Sequence, residues 1–223
     1  MLRLFLETMR DPDLALPCLL EEGVPTGAFC PLPRSQQWPQ AANTSSSDDS
    51  ELDLIHCDQN WTAAEQDPDC VEGLVQEEVA QGFVEPFHGT LADAQRAWPL
   101  GTAIGKLNLV KAPGKEPRLV LDSTICNVNA RCQVPEHVAL PSAGDVRRCF
   151  LPADDRQSWE GLSLDFKAAR KCVKVRPADR GTLLFRVRTQ LYFYKVCHFG
   201  GRFSAYHWQR VGAALLRISH AIL

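Results

Sequence analysis

Residues 106–122, "KLNLVKAPGKEPRLVLD", contain two apolar runs joined by a segment typical of a tight turn. The runs extend from Lys106 to Lys111 and from Arg118 to Leu121, and "APGKEP" between them supplies the Pro and Gly that turns favour. The pattern predicts a β-hairpin with Lys111, Lys115 and Arg118 near its tip. Lys111 and Arg118 could close together over a polyphosphate, although a surface hairpin also uses charge simply for solubility.

Upstream of the hairpin, the sequence predicts a helix and then a strand. Asp67 followed by Pro68 is a typical helix start, and Gly82 is a typical stop. The apolar residues between them recur at helical spacing: Val71, Leu74, Val75 and Val79. The next segment, "FVEPF" (residues 83–87), is strand-like.

Downstream, "WEGLSLDFKAARKCVKV" (residues 159–175) raises the question of a functional carboxylate. Apolar and polar residues alternate from residue 162 to 167, which predicts a strand with Asp165 on its polar face and Phe166 on the other. A carboxylate held by a strand is what Mg²⁺-dependent phosphoryl or nucleotidyl transfer needs. A merely solvated strand residue is the alternative, and Asp165 taken alone does not exclude it.

The last third of the chain predicts two strands, a glycine turn and a long helix. "TLLFRVRTQLYFYKVCHF" (residues 182–199) has the composition of two strands with a turn near Arg188 to Gln190. Residues 204–223 place apolar side chains along one helical face, and Ser142 is a candidate N-cap for a short helix further upstream. Gly200 and Gly201 permit close approach of the backbone to a base or sugar, or only a bend. The layout is α+β, with a mostly antiparallel sheet covered by helices on one side.

Composition and charge suggest two regions. The chain has 223 residues, 45% of them hydrophobic, and a formal charge of -3, so it can build a core. Acidic residues dominate residues 1–85 and basic residues dominate 106–217, which is compatible with a basic binding region preceded by an acidic arm or with ordinary solvated surface. Residues 31–53 are rich in Pro, Ser, Gln and Asp and predict a linker. We therefore expect an N-terminal extension with a disordered acidic linker (residues 1–60) and a second domain (61–223).

The cysteines and the hydropathy indicate the cellular compartment expected for the protein. Nine cysteines occur at irregular spacings with no recognisable secretory signal, which predicts reduced, structural thiols in a cytoplasmic or nuclear protein. No apolar run approaches the roughly 20 residues that a membrane span requires, so no membrane partner is expected.

Four motifs in order resemble those of reverse transcriptases. "GFVEPF" resembles the family's "G-I-I-E-x-S" entry segment, and "LVKAPGKEPRLVLDSTICNVN" resembles the fingers hairpin "V-x-K-K-D-G-K-x-R-x-x-x-D-x-R-x-L-N". "SLDFKAARKCVKV" is similar to the palm motif "x-L-D-L-x-x-A-Y-x-x-I-x-V". "RTQLYFYKVCHFGGRFSAYHWQRV" resembles "Y-x-x-x-x-L-P-F-G-L-x-x-A-P-x-x-F-Q-R". The resemblance covers roughly residues 70–223 and extends to reverse-transcriptase-like proteins of dinoflagellate retroelements.

The resemblance implies an RNA-directed DNA polymerase with Mg²⁺ as cofactor and dNTPs and an RNA or DNA template–primer as partners. It places Lys111 and Arg118 on the incoming triphosphate and Asp165 on metal, with the Phe166 carbonyl beside it. It puts the matching pocket residues on the dNTP as well: Arg170, Phe199, Gly200 and Gln209. Asp122 and Asn127 match the hairpin Asp and Asn. The implied architecture is a right-hand polymerase's fingers and partial palm.

Two departures from the family pattern qualify these expectations. Arg170 stands where the family has an aromatic residue that rejects the ribose 2′-hydroxyl, so sugar preference is open. The "Y-x-D-D" turn that completes the metal site is not in the sequence, which we interpret as truncation before that hairpin, with a downstream segment or second chain as its source. We expect no catalysis by this chain alone. The alternatives are a non-catalytic nucleic-acid-binding protein derived from a retroelement and an unfolded remnant of a broken gene.

Overall fold

The computed structural model of the protein describes residues 1–41, 52–149 and 165–222. Helices and antiparallel strands are mixed along the chain, in agreement with the predicted α+β class. The helices are α1 (Leu2–Thr8), α2 (Leu16–Glu22), α3 (Thr62–Glu65), α4 (Pro68–Ala80), α5 (Leu91–Ala97), α6 (Val128–Arg131), α7 (Ala143–Cys149) and α8 (Arg202–Ile222). The strands are β1 (Val84–Phe87), β2 (Lys106–Ala112), β3 (Lys115–Asp122), β4 (Leu184–Val187) and β5 (Gln190–Tyr194). Fingers and a partial palm remain a prediction.

The strands form two antiparallel sheets. One has the order β1, β5, β4, and the other is the β2–β3 pair, so the hairpin predicted from residues 106–122 is confirmed. Pro113 and Gly114 make its turn, where Gly114 takes φ +70°, a value that glycine adopts without strain. The β4–β5 hairpin turns at Arg188 and Thr189, as the sequence predicts.

Helix α4 begins and ends where the sequence predicts. The Asp67 carboxylate accepts a hydrogen bond of 3.3 Å from the Cys70 amide, and Pro68 occupies the first turn. Gly82 follows the helix with φ +75°. Val71 and Val75 bury their side chains in the main core, which is shared by both sheets and also contains Leu107, Leu121, Phe185 and Tyr194.

The helix α8 starts two residues before the predicted Ser204 and packs on the N-terminal helices. Leu6 of α1, Leu16 of α2 and Ala214 of α8 form a separate buried cluster. Ser142 accepts a hydrogen bond of 3.2 Å from the Asp145 amide at the start of α7, which confirms that cap. No helix in the described ranges is long and apolar enough to span a bilayer.

Residues 31–41, assigned to a linker by composition, are packed against the rest of the chain. Leu32 and Ser35 are buried, and the buried Glu136 carboxylate accepts hydrogen bonds from the Ser35 amide (2.9 Å) and the Ser35 hydroxyl (2.7 Å). A polar segment of this kind is fixed by hydrogen bonds to a buried carboxylate, which composition alone does not reveal. Residues 42–51 lie outside the described residues, and the domain division at residue 60 remains a prediction.

The strand predicted around Asp165 is not present in its described part. Residues 162–164 lie outside the described residues, but Asp165 and Phe166 belong to no strand and continue into a turn and a 3₁₀ helix, Ala169–Cys172. Ala168 has φ +53°, a left-handed conformation that interrupts an extended chain. The residues 165–168 are all exposed, so no sheet packs on them to favour extension.

Candidate functional site

Lys111 at the hairpin tip is bound to an acidic residue of the same chain. Its Nζ lies 2.5 Å from Oδ2 of Asp67, the residue that also caps α4. The hydrogen bond between them lowers the pKa of Asp67 and raises the pKa of Lys111. An incoming anion would therefore have to compete with Asp67 for this ammonium group.

Arg118 lies on β3 opposite Val110 and is exposed. Side chains alternate between the two faces of a strand, so Arg118 shares a face with Val120 while Leu119 and Leu121 point into the core. The hairpin therefore presents Arg118 to solvent and holds Lys111 against α4. Lys111 and Arg118, which the sequence predicts to act together, are therefore in different situations: Lys111 is bound to Asp67, whereas Arg118 is exposed to solvent.

Gly200 joins the loop after β5 to the end of β3. It has φ +106°, and a Cβ atom built on it would lie 1.9 Å from the Leu121 carbonyl oxygen and 3.5 Å from Val120 Cγ1. No side chain fits in that space, so glycine is required for the contact. The structure thus brings Phe199 and Gly200, predicted from one motif, beside the hairpin predicted from another.

Asn129 holds this contact in place. Its Nδ2 donates to the Gly200 carbonyl at 2.7 Å, and its Oδ1 accepts from the Arg202 amide at 2.7 Å. The family motif matched Asn127 rather than Asn129, but the Asn127 Nδ2 donates to the Asp53 carbonyl at 2.8 Å. The Asp122 carboxylate accepts from the Thr124 amide at 2.9 Å and from the Trp61 indole N–H at 3.2 Å.

We call two pairs of side chains, Arg170 with Phe199 and Phe166 with Trp208, the cation–aromatic patch, since Phe166 and Arg170 lie four residues apart on one segment. The Arg170 guanidinium lies 5.0 Å from the centre of the Phe199 ring, and the Phe166 ring meets the Trp208 ring edge-on at 5.5 Å. Phe166 is 45% exposed and Phe199 43% exposed. Both rings are therefore open to solvent on at least part of their surface.

The 3₁₀ segment that carries Arg170 is anchored to α4. The Lys171 ammonium lies 2.7 Å from Glu78 Oε1, and it also lies 5.3 Å from the centre of the Phe83 ring. Both partners of the ion pair are largely buried, at 20% and 11% side-chain exposure. Glu78 was not predicted from the sequence as a site residue. A charged residue on the buried side of α4 was the feature that could have indicated its role.

The histidines near the patch have structural roles. Burial lowers the pKa of His198 to about 4, and its Nδ1 lies 2.8 Å from the Phe199 carbonyl oxygen. Burial likewise lowers the pKa of His207 to about 3, with Nε2 2.9 Å from the Pro25 carbonyl oxygen. Both rings are therefore neutral at physiological pH and support the loop and α8.

Of the predicted "W-Q-R" segment, only the first two residues lie near the patch. Trp208 belongs to it, and Gln209, the next residue, is partly exposed. Arg210 is fully buried and bound to Asp13, so it is unavailable to any ligand.

Many of the opposite charges of the two halves pair with each other. Within the described residues, cations of the second half bind acids of the first in seven pairs: Lys111–Asp67, Lys171–Glu78, Arg188–Asp69, Arg188–Glu72, Lys195–Glu85, Arg210–Asp13 and Arg217–Asp11. The charge asymmetry thus serves intramolecular pairing more than a general basic cleft. Exposed positive charge on the segments around the patch comes from Arg118, Lys167 and Arg202, and Arg170 is partly exposed.

The described residues provide few ligands for a metal ion. Asp165 is exposed next to the patch, and no group of three or more His, Cys, Asp or Glu side chains within the described ranges could hold a metal. Mg²⁺ bound to substrate phosphates uses one or two protein carboxylates. Asp165 can supply one, which does not fit a complete two-metal site.

No model of a known protein family matches the sequence, and no curated protein matches it.

Proposed function

We propose that this chain is a reverse-transcriptase-like protein whose hairpin and cation–aromatic patch bind nucleotides and a nucleic-acid template–primer. The contact between Gly200 and Leu121 carries the proposal, because it joins two segments that resemble separate nucleotide-binding motifs of that family. Fingers and a partial palm are the corresponding architecture. The contact supports the proposal because it brings together two segments that carry the resemblance.

The proposed roles follow from exposure. Arg118 contacts phosphate from the exposed face of β3, and Lys111 joins it when Asp67 releases it. Phe199 and Gly200 contact base and sugar, Arg170 and Gln209 border that pocket, and Asp165 with the Phe166 carbonyl faces a metal-bound phosphate. When present, Mg²⁺ would neutralise phosphate charge, with Asp165 as its carboxylate ligand.

Binding without turnover is the expected behaviour of residues 1–223. Nucleotidyl transfer requires carboxylates that hold two metal ions, and Asp165 supplies one. The test is primer extension on RNA and DNA templates with Mg²⁺ and dNTPs, beside a binding assay with the same template–primer. Binding with no extension is expected, whereas extension that disappears in Asp165→Ala would show that the chain is an active polymerase.

A second candidate function, a non-catalytic nucleic-acid-binding protein, is favoured because no group of three or more metal-ligating side chains is found within the described residues. It requires no metal, so binding should survive both EDTA and Asp165→Ala. A dNTP affinity that depends on Mg²⁺ and on Asp165 would favour the polymerase-like function instead.

A further inference from the structure

We infer that the cation–aromatic patch binds single-stranded nucleic acid by stacking unpaired bases, without any metal ion. The inference rests on the proposed function and deepens it by naming the ligand: a strand with unpaired bases, in preference to a duplex. The stacking platform is Phe199 with Arg170, beside Phe166 and Trp208.

Exposure of the rings is the first argument. Phe166 and Phe199 are 45% and 43% exposed to solvent. Other aromatic residues of the chain, such as Phe185, Tyr194 and Tyr206, are instead buried in the main core. An unpaired base presents its π-face to such a ring, whereas a base inside a duplex is already stacked on its neighbours. The exposed rings therefore match single strands.

The position of the cations is the second argument. The Arg170 guanidinium lies over Phe199 and can contact a base or a phosphate, and Lys167 is exposed one residue from Phe166. Arg118 stands two residues from Val120, which touches the Gly200 position, so it lies about 7 Å along the strand from that loop. Exposed positive charge thus lies on the segment that carries Phe166 and on β3 next to the Gly200 loop, where it can contact a phosphate backbone that runs past the rings.

The rigidity of the support is the third argument. Lys171 is tied to Glu78, and Asn129 binds the loop at Gly200 and Arg202. These contacts fix the two segments that carry Arg170 and Phe199 before any ligand arrives. A preorganised platform loses little conformational entropy on binding.

The test measures binding by fluorescence anisotropy in EDTA, using labelled 12-nucleotide oligo(dT) and oligo(rU) and a blunt duplex of equal length. We expect both single strands to bind more tightly than the duplex. Phe199→Leu keeps an apolar side chain of similar size but removes the π-face, and should weaken single-strand binding about tenfold, within the range of one stacked base. Arg170→Ala should have a similar effect.

Arg188→Ala is the matched control, since Arg188 is an exposed arginine at the β4–β5 turn, where it pairs with Asp69. It should leave single-strand affinity within about twofold. Equal affinity for duplex and single strand, competition by base-free polyphosphate as effective as by oligo(dT), or wild-type affinity in Phe199→Leu would each overturn the inference. Single-strand binding without Mg²⁺-dependent dNTP binding would retain it while rejecting the polymerase-like function.

Discussion

The Asp13 carboxylate and the Arg210 guanidinium are joined by two hydrogen bonds, of 2.6 and 2.9 Å, with both side chains buried. A third Arg210 N–H donates to the Pro33 carbonyl at 2.8 Å. Two helical turns later, Arg217 binds Asp11 in the same way, with hydrogen bonds of 2.6 and 2.9 Å. The N-terminal segment is therefore fixed to α8 by one fully buried ion pair, Arg210–Asp13, and by a second pair in which Arg217 is partly exposed.

Asp13→Ala should lower the free energy of unfolding by about 3–5 kcal/mol, because it leaves a buried guanidinium unpaired. Urea denaturation followed by circular dichroism measures this loss. Arg188→Ala, which breaks only an exposed pair, should cost about 0–1 kcal/mol. Equal losses in the two variants would show that the buried pair does not anchor the N-terminal segment.

Gly200→Ala adds only one methyl group, but it should lower the free energy of unfolding considerably by disrupting the loop after β5. The added methyl would lie 1.9 Å from the Leu121 carbonyl oxygen, and φ +106° is strained for any other residue. We expect a loss of at least about 2 kcal/mol, measured by thermal or urea unfolding.

Gly212→Ala is the control for this change. Gly212 lies in α8 with nothing within 4 Å of an added Cβ, so alanine should stabilise the helix by up to about 1 kcal/mol. Unfolding energies that shift equally in both variants would mean that the contact between Gly200 and β3 carries no strain.

Local signals in the sequence predicted most of the secondary structure. The hairpin at 106–122, the Asp67–Pro68 start of α4 and the β4–β5 pair each depend on residues close together in the chain, and each is confirmed. Helix α5 was missed although Thr90 and Asp93 form a capping box at its start. The periodicity around Asp165 predicted a strand, but no strand among the described residues pairs with residues 165–167, and Ala168 turns the chain.

The supporting residues of the site could not be predicted in this way. Asn129 and Glu78 act through contacts with residues 71 and 93 positions away in the chain. Likewise, the sequence showed Lys111 as a free cation because Asp67 is 44 residues distant. Contacts between residues so far apart in the sequence form only when the core has assembled.

Stability should fall with acid because two buried histidines bind protons only after unfolding. Burial lowers the pKa of His198 to about 4 and of His207 to about 3, whereas both titrate near 6.5 in the unfolded chain. Between pH 6.5 and about 4 the unfolded state therefore binds more protons, and each histidine should remove about 1.4 kcal/mol per pH unit. Above pH 6.5 both histidines are neutral in the folded and the unfolded chain, so they add no pH dependence to the free energy of unfolding.

Urea unfolding of His207→Gln from pH 7.5 to 4.5 measures this contribution. Glutamine can still donate to the Pro25 carbonyl, but it does not titrate. The pH slope below 6.5 should fall by about one proton's worth, 1.4 kcal/mol per pH unit. An unchanged slope would show that His207 is protonated in the folded protein.

Glu78→Gln should loosen the patch while leaving the rest of the fold intact. The substitution removes the charge that binds Lys171, so the 3₁₀ segment Ala169–Cys172 loses its anchor on α4. Part of the ion pair is exposed, so we expect a loss of about 1–2 kcal/mol rather than the full cost of a buried pair. Amide hydrogen exchange should accelerate in residues 165–172 and remain unchanged in β2 and β3.

Glu85→Gln is the matched control, because Glu85 pairs with Lys195 at 3.2 Å on a more exposed surface. It should not change exchange in residues 165–172 or the affinity for oligo(dT). If Glu78→Gln lowers oligo(dT) affinity several-fold and Glu85→Gln does not, the effect must pass through Lys171 to Arg170, since Glu78 lies beneath the patch on α4. Wild-type exchange in residues 165–172 of Glu78→Gln would instead show that contacts within the patch hold that segment by themselves.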